Sequence, residues 1–191
     1  FKDPKRLNQT SQEKYFKSLF ENHHHEDETV DYLYQTMGST INNAGYIFEK
    51  SKAKASTTIY PDTALGKDFK NIAALINSDV NTKVYYLSVG SFDTHVNQNQ
   101  KQAQLFTEIN DAVKAFVEDL KSSGRYKDTL LMTFSEFGRR IKSNDSMGTD
   151  HGAAAPMFLF GKNVQSGIIG NNPQIPTTLT ENDNIPMQYD F

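Results

Sequence analysis

The chain has 191 residues, a formal net charge of −3 and no cysteine. That length supports one domain with a real core, and the small charge, with no basic stripe carrying interleaved aromatics, argues against a nucleic-acid partner. No apolar run approaches the roughly 18 residues of a membrane-spanning helix, and the lack of cysteine removes disulfides and thiolate metal ligands.

No signal peptide is visible. The start "FKDPKRL" lacks a methionine and the end "MQYDF" reads like a cut-off element, so a fragment of a longer protein is expected. Residues 1–54 read as a helical, polar segment of the same domain as the rest. "SQEKYFKSLFEN" sets Tyr15 or Phe16, Leu19 and Phe20 at helical spacing. After "HHHEDE", Val30, Leu33, Tyr34, Met37 and Ile41 repeat at threes and fours and predict a second helix with that stripe inward. A solvated loop is the simpler reading of His23, His24 and His25, against surface metal binding.

Residues 55–191 read as the α/β part. Pro61 and Gly66 punctuate a loop in which Asp62 or Thr63 can cap the next helix. That helix carries Phe69, Ile72, Ala73 and Ile76 inward. "TKVYYLSVG" has the β-branched and aromatic content of a buried strand. From Asn97 to Ser122, Leu105, Ile109, Val113, Phe116 and Leu120 form one apolar stripe, and Gly124 closes the helix. "DTLLMTFSEFG" and "PMFLFG" read as further strands, separated by the long loop "RRIKSNDSMGTDHGAAA" and followed by a turn-rich tail. The alternation is that of an α/β sheet with helices on its faces.

Ligands bind such sheets beyond the carboxyl ends of the strands. Asp93 and His95 follow one predicted strand, Glu136 follows the next, and Asp150 and His151 precede the third. Residues two apart in an extended segment point the same way, so Asp93 and His95 can share an ion. A mixed oxygen and nitrogen donor set suits zinc, manganese or iron. Local spacing alone favours the plainer reading, a polar turn at Asp93 and a surface imidazole at His95. Glu136 is either a loop carboxylate or a site residue. Arg139, preferred over Arg140, either grips a phosphate or sulfate or pairs with Glu136. The glycines of "GTDHGAAAP" permit close backbone approach to a ligand.

"YYLSVGSFDTHVNQ", "TLLMTFSEFGRRIKSNDSMGTDHGAAAPMFLFG" and "VQSGIIGNNP", with "YPDTALGKDFKNIAALI" upstream, resemble the bacterial domain-of-unknown-function 1501 family. The resemblance covers Tyr46 to Phe191, and the first 45 residues are only loosely similar. That family looks like a member of the alkaline phosphatase and sulfatase superfamily. The resemblance implies an alkaline-phosphatase-like sheet with helices on both faces and a divalent metal, zinc first and manganese, calcium or iron as alternatives. It places Asp93, His95 and His151 at a first metal and Glu136 at a second, where Phe137 stands in place of the superfamily's histidine. An alternative mapping moves Asp150 and His151 to the second metal. Glu136 and Arg139 become the catalytic candidates, and the nucleophile is expected upstream of Phe1.

Two functions follow from the resemblance. One is an exported, metal-dependent hydrolase acting on small anionic phosphate or sulfate esters. The other is a non-catalytic subunit or scaffold that meets protein partners in an envelope or cell-surface complex. Either home is extracytoplasmic, in the periplasm or at the cell surface.

Overall fold

A computed structural model describes Ser18 and residues 27–54, 56–180 and 183–189. Apart from Ser18, the helix expected over Ser11–Asn22 and the histidines 23–25 lie outside the described residues. Two compact units are formed, one from 1–57 with 70–85 and the other from 58–69 with 86–191.

The first unit is helical. Helix α1 spans Glu28–Ala53. Asp27 caps it, its carboxylate accepting from the amides of Thr29 at 2.9 Å and Val30 at 3.3 Å. Glu28 and Asp31 in the first turn, with Lys50 and Lys52 in the last, match the helix dipole at both ends. Among its described side chains the buried one is Phe48, in the C-terminal half, over whose ring Lys52 lies at 3.9 Å. The expected inward stripe is only partly covered there: Leu33 is 55% exposed and Met37 47%, whereas Val30 and Tyr34 are half-buried. Periodicity specifies a helix, whereas covering its face needs a second element. Helix α2, Ala64–Asn77, supplies Ala73, Ala74 and Leu75 to this unit. Ser78 just beyond it donates its hydroxyl to the carbonyl of Lys50 at 2.7 Å.

The second unit holds the start of α2. Of the two candidate caps it is Thr63 that acts, its hydroxyl accepting from the Gly66 amide at 3.1 Å. Leu65 and Phe69 are buried, and Phe69 packs on Phe116 with ring centroids 4.8 Å apart. Phe116 belongs to α3, Gln98–Ser122, whose stripe is buried at Val113, Phe116 and Leu120 and half-buried at Leu105 and Ile109. Gly124, at φ +74, ends α3. The Arg125 amide reaches the Leu120 carbonyl at 2.8 Å and the Gly124 amide that of Lys121 at 3.2 Å, the paired bonds of a Schellman cap. Asp119 is also buried, and its carboxylate accepts from the Tyr60 hydroxyl at 2.8 Å.

Beyond a short 3-10 turn at Tyr126–Asp128 come four two-residue strands. Strand β1, Leu131–Met132, pairs antiparallel with β4, Leu159–Phe160. Between them in the chain, β2, Gly138–Arg139, pairs antiparallel with β3, His151–Gly152, in the register Gly138 to Gly152 and Arg139 to His151. These are the two ladders among the described residues, and a single larger sheet does not appear there. The segment expected as the first strand is not assigned to a ladder. Tyr85, Leu87 and Val89 are half-covered while Tyr86, Ser88 and Gly90 are exposed. The period of two is present, but a strand also needs a hydrogen-bonded neighbour, which periodicity does not supply. No described helix is long and apolar enough to cross a membrane.

Candidate metal centre

Three loops of the second unit converge. The first carries Asp93, Thr94 and His95 between two sharp bends, at Ser91 (φ 72) and Asn97 (φ 50). Alternation turns Thr94 inward, where it is fully buried, and leaves Asp93 and His95 on the open side. The second segment is the β2–β3 ribbon with its connecting loop, which brings Arg139, Thr149, Asp150 and His151. The third is the first turn of α3. There Gln102 donates to the Thr94 hydroxyl at 3.2 Å, and the Thr149 hydroxyl donates to the Gln98 side-chain oxygen at 2.6 Å.

Backbone contact packs these loops. A Cβ built on Gly148 would lie 2.1 Å from both the carbonyl carbon and oxygen of His95, so only hydrogen fits there. Gly148, one of the two glycines of "GTDHGAAAP", admits the backbone of the segment that carries His95. Asn144 locks the same loop. It donates to the His95 carbonyl at 3.0 Å and accepts from the amides of Ser146 and Gly148, each at 3.0 Å. Carbonyls of Ser146 and Met147 receive the amides of Asn97 and Gln98, which opens α3 without a side-chain cap.

One oxygen is the focus. Asp93 Oδ1 lies 2.9 Å from His95 Nε2, 2.7 Å from His151 Nε2 and 3.1 Å from an Arg139 nitrogen. The hydrogen bond from His151 does most to hold the Asp93 carboxyl below the ordinary range. Partial desolvation opposes that shift, and the Arg139 hydrogen bond and both imidazoles reinforce it. One ligand atom each from Asp93, His95 and His151 falls within 4.8 Å of the others. His95 is half-covered, and Asp93 and His151 are exposed, so the group has an open side.

The remaining candidates take other positions. Asp150 faces the far side of His95, its Oδ1 lying 3.2 Å from Nδ1, and its other oxygen is 4.0 Å from Arg140. Glu136 is exposed in the β1–β2 loop and lies outside the three-residue group. Arg139 is largely buried, and its fork is directed at protein oxygens: the Thr149 carbonyl at 2.7 Å, the Phe92 carbonyl and Asp93. It ties the Phe92–Asp93 segment to the loop that ends at Thr149. Phe137 stacks on His151 at 3.9 Å between centroids and 6° between planes, and His95 lies over His151 at 5.2 Å. The sequence reading did not reach Thr94, Thr149, Gln98, Gln102 or Asn144, which hold the loops. Their polarity offered no signal that distinguishes them from surface residues.

The described residues define a mixed helical and extended chain that gathers one carboxylate and two imidazoles on an exposed edge. A family model described as "Protein of unknown function (DUF1501)" matches residues 5–187, and the chain belongs to that family. The match reaches well upstream of Tyr46, into the part that looked only loosely similar. No curated protein and no solved structure matches the chain.

Proposed function

We propose that this chain is part of an exported, metal-dependent hydrolase of phosphate or sulfate esters, on a scaffold similar to the alkaline phosphatase and sulfatase superfamily, with a larger α/β sheet than the two ribbons described. The convergence of Asp93, His95 and His151 carries the reading. The donor set fits a divalent ion: one carboxylate oxygen and two imidazole nitrogens suit zinc, with manganese, iron or calcium less well matched. Ligands about 2.0 Å from a tetrahedral ion lie roughly 3.3 Å apart. The 2.7 and 2.9 Å separations here are those of direct hydrogen bonds, so small outward shifts of two exposed side chains create the room.

A metal so held supplies Lewis acidity and lowers the pKa of an oxygen nucleophile. The chain's own residues do the rest. Asp93 contributes negative charge, kept in place by Arg139. The open side would admit a small anionic ester, and Glu136 would orient a water or hold a second ion, as the superfamily resemblance implies. Metal analysis of the intact protein tests this. Wild type should retain a stoichiometric ion and His95→Ala should retain none, and a generic phosphatase and sulfatase screen should follow the metal. Unchanged metal content in His95→Ala rejects the site.

A second reading is a non-catalytic scaffold of an envelope complex. Phe137 favours it, because its ring lies flat on His151 where the superfamily resemblance calls for a second metal-binding histidine. Bound metal with no esterase activity of either class would support this reading.

A further inference from the structure

The geometry points to Asp150 as a positioning residue that fixes the ring of His95 for metal binding, rather than as a ligand. The inference rests on the metal-centre reading above and deepens it. The two imidazoles are held by different means. His151 is clamped flat against Phe137. Among the described residues the ring contact of His95 is the looser one with His151, 5.2 Å between centroids and 27° between planes. Its Nε2 points at the shared centre and its Nδ1 at Asp150 Oδ1, 3.2 Å away. An imidazole that ligates through Nε2 keeps its single proton on Nδ1, and a carboxylate accepts only, so Asp150 selects the tautomer that exposes a lone pair to the ion. Such outer carboxylates orient the ring and raise its basicity.

Asp150 is itself fixed. Its carbonyl accepts from the Arg140 amide at 3.0 Å, continuing the β2–β3 ladder by one residue, and its second carboxylate oxygen faces the Arg140 guanidinium at 4.0 Å. The carboxylate therefore sits on a paired strand and not on a free loop. The two ligand segments also brace each other. Asp93 of the first bonds His151 of the second, while Asp150 of the second bonds His95 of the first.

The test is a zinc titration of chelator-treated full chain, comparing wild type, Asp150→Ala, Asp150→Asn and His95→Ala. The Asp150 side chain is 55% exposed, so its removal leaves the core intact. Asp150→Ala should bind the same number of ions about 10- to 100-fold more weakly. Asp150→Asn, whose amide oxygen still accepts from Nδ1–H, should recover part of that loss. In the zinc-loaded protein, the His95 Nδ1 proton should be visible by nitrogen-correlated NMR in wild type and lost to exchange in Asp150→Ala. A structural role alone would not move that signal selectively. Wild-type affinity in Asp150→Ala, with His95→Ala still inactive in binding, overturns the positioning role and leaves the metal centre standing. Loss in both Asp150 variants as complete as in His95→Ala makes Asp150 a ligand and also overturns it. Failure of wild type to bind zinc removes the centre and this role together.

Discussion

The contact between Gly148 and His95 makes the position of a proposed metal ligand depend on a single hydrogen atom. In Gly148→Ala the new methyl would sit 2.1 Å from the His95 carbonyl carbon and oxygen, and 2.7 Å from the Thr94 oxygen, against an ordinary contact of at least 3.4 Å. The shortfall is about 1.3 Å, and all three obstacles are backbone, which cannot rotate aside as a side chain would. Either the 144–149 loop or the Asp93–His95 segment must retreat. The loop is anchored by the Asn97 and Gln98 amides at 3.1 and 2.9 Å, and by Asn144. The ligand segment has its own anchors at Gln102 and Arg139. Overpacking of this kind costs about 1–3 kcal/mol. The larger effect falls on the site, because a ligand moved by an ångström no longer shares an ion with its partners. Zinc affinity should drop by about 10- to 100-fold, as when a supporting contact to a ligand is lost. Calorimetric zinc titration, with a metal-free thermal melt alongside, measures both. Wild-type affinity in a variant that folds normally would refute the claim that this loop sets the place of His95.

Gly45, in the middle of α1, is the matched control. A Cβ there meets nothing within 4 Å, so Gly45→Ala should raise stability by about 0.5–1 kcal/mol in a denaturant titration and leave metal binding unchanged. Tyr60→Phe removes the one hydrogen bond seen to the buried Asp119 carboxylate and should destabilise by about 1.5–3 kcal/mol, read from a urea midpoint. Burial first, then the Asp119 hydrogen bond and charge, push the Tyr60 hydroxyl well above its ordinary 10.0. Its contribution is therefore complete below that value and is lost as pH rises beyond it. Alkaline destabilisation should accordingly be smaller in Tyr60→Phe than in wild type. Asp93 has the opposite sign. Its carboxyl is held low, so the stability it adds is present above the ordinary carboxylate range and falls away as pH drops through its folded value. In metal-free protein, Asp93→Asn should flatten the acid side of the stability profile, and an unchanged profile would contradict the three-donor focus on that carboxylate.

Local signals carried some elements a long way. The α3 stripe, the Gly124 stop and the Thr63 cap each depend on residues within a few positions of one another, so the sequence displays them directly. Strand pairing does not work this way. Leu131 meets Phe160, and Arg139 meets His151, through chain reversals whose register nothing local specifies. The same limit applies at the site. The spacing of Asp93 and His95 permitted a shared ion but by itself favoured a plain polar turn, and the place of Asp150 behind His95 depends on how residues 55 positions apart in the chain are brought together. Asp119 looked like one more acid on the polar face of α3, because its partner Tyr60 lies 59 positions upstream. Arg139 was read from its charge as an anion grip or a partner of Glu136. The carbonyls of Phe92 and Thr149 that occupy its nitrogens carry no signature in the sequence.

The two segments that carry His95 and His151 share a composition, Asp-Thr-His at 93–95 and Thr-Asp-His at 149–151, and they share a support. Each threonine is buried, and each is held by a glutamine of α3, Thr94 by Gln102 and Thr149 by Gln98. Those glutamines are four residues apart, one helical turn, and therefore lie on one face of α3. Further along, the helix is fixed by the burial of Val113, Phe116 and Leu120. The distance between the two histidines is thus referenced to a rigid helix through two side-chain bonds, and not only to the loops that carry them. Gln98→Ala and Gln102→Ala should then each weaken zinc binding, with a metal-free destabilisation of about 1 kcal/mol from the threonine hydroxyl left without its partner. Because both act on the same separation, the double variant should lose less than the sum of the single losses. Full additivity in the zinc titration would mean that the helix supports the two segments independently and does not set the spacing between them.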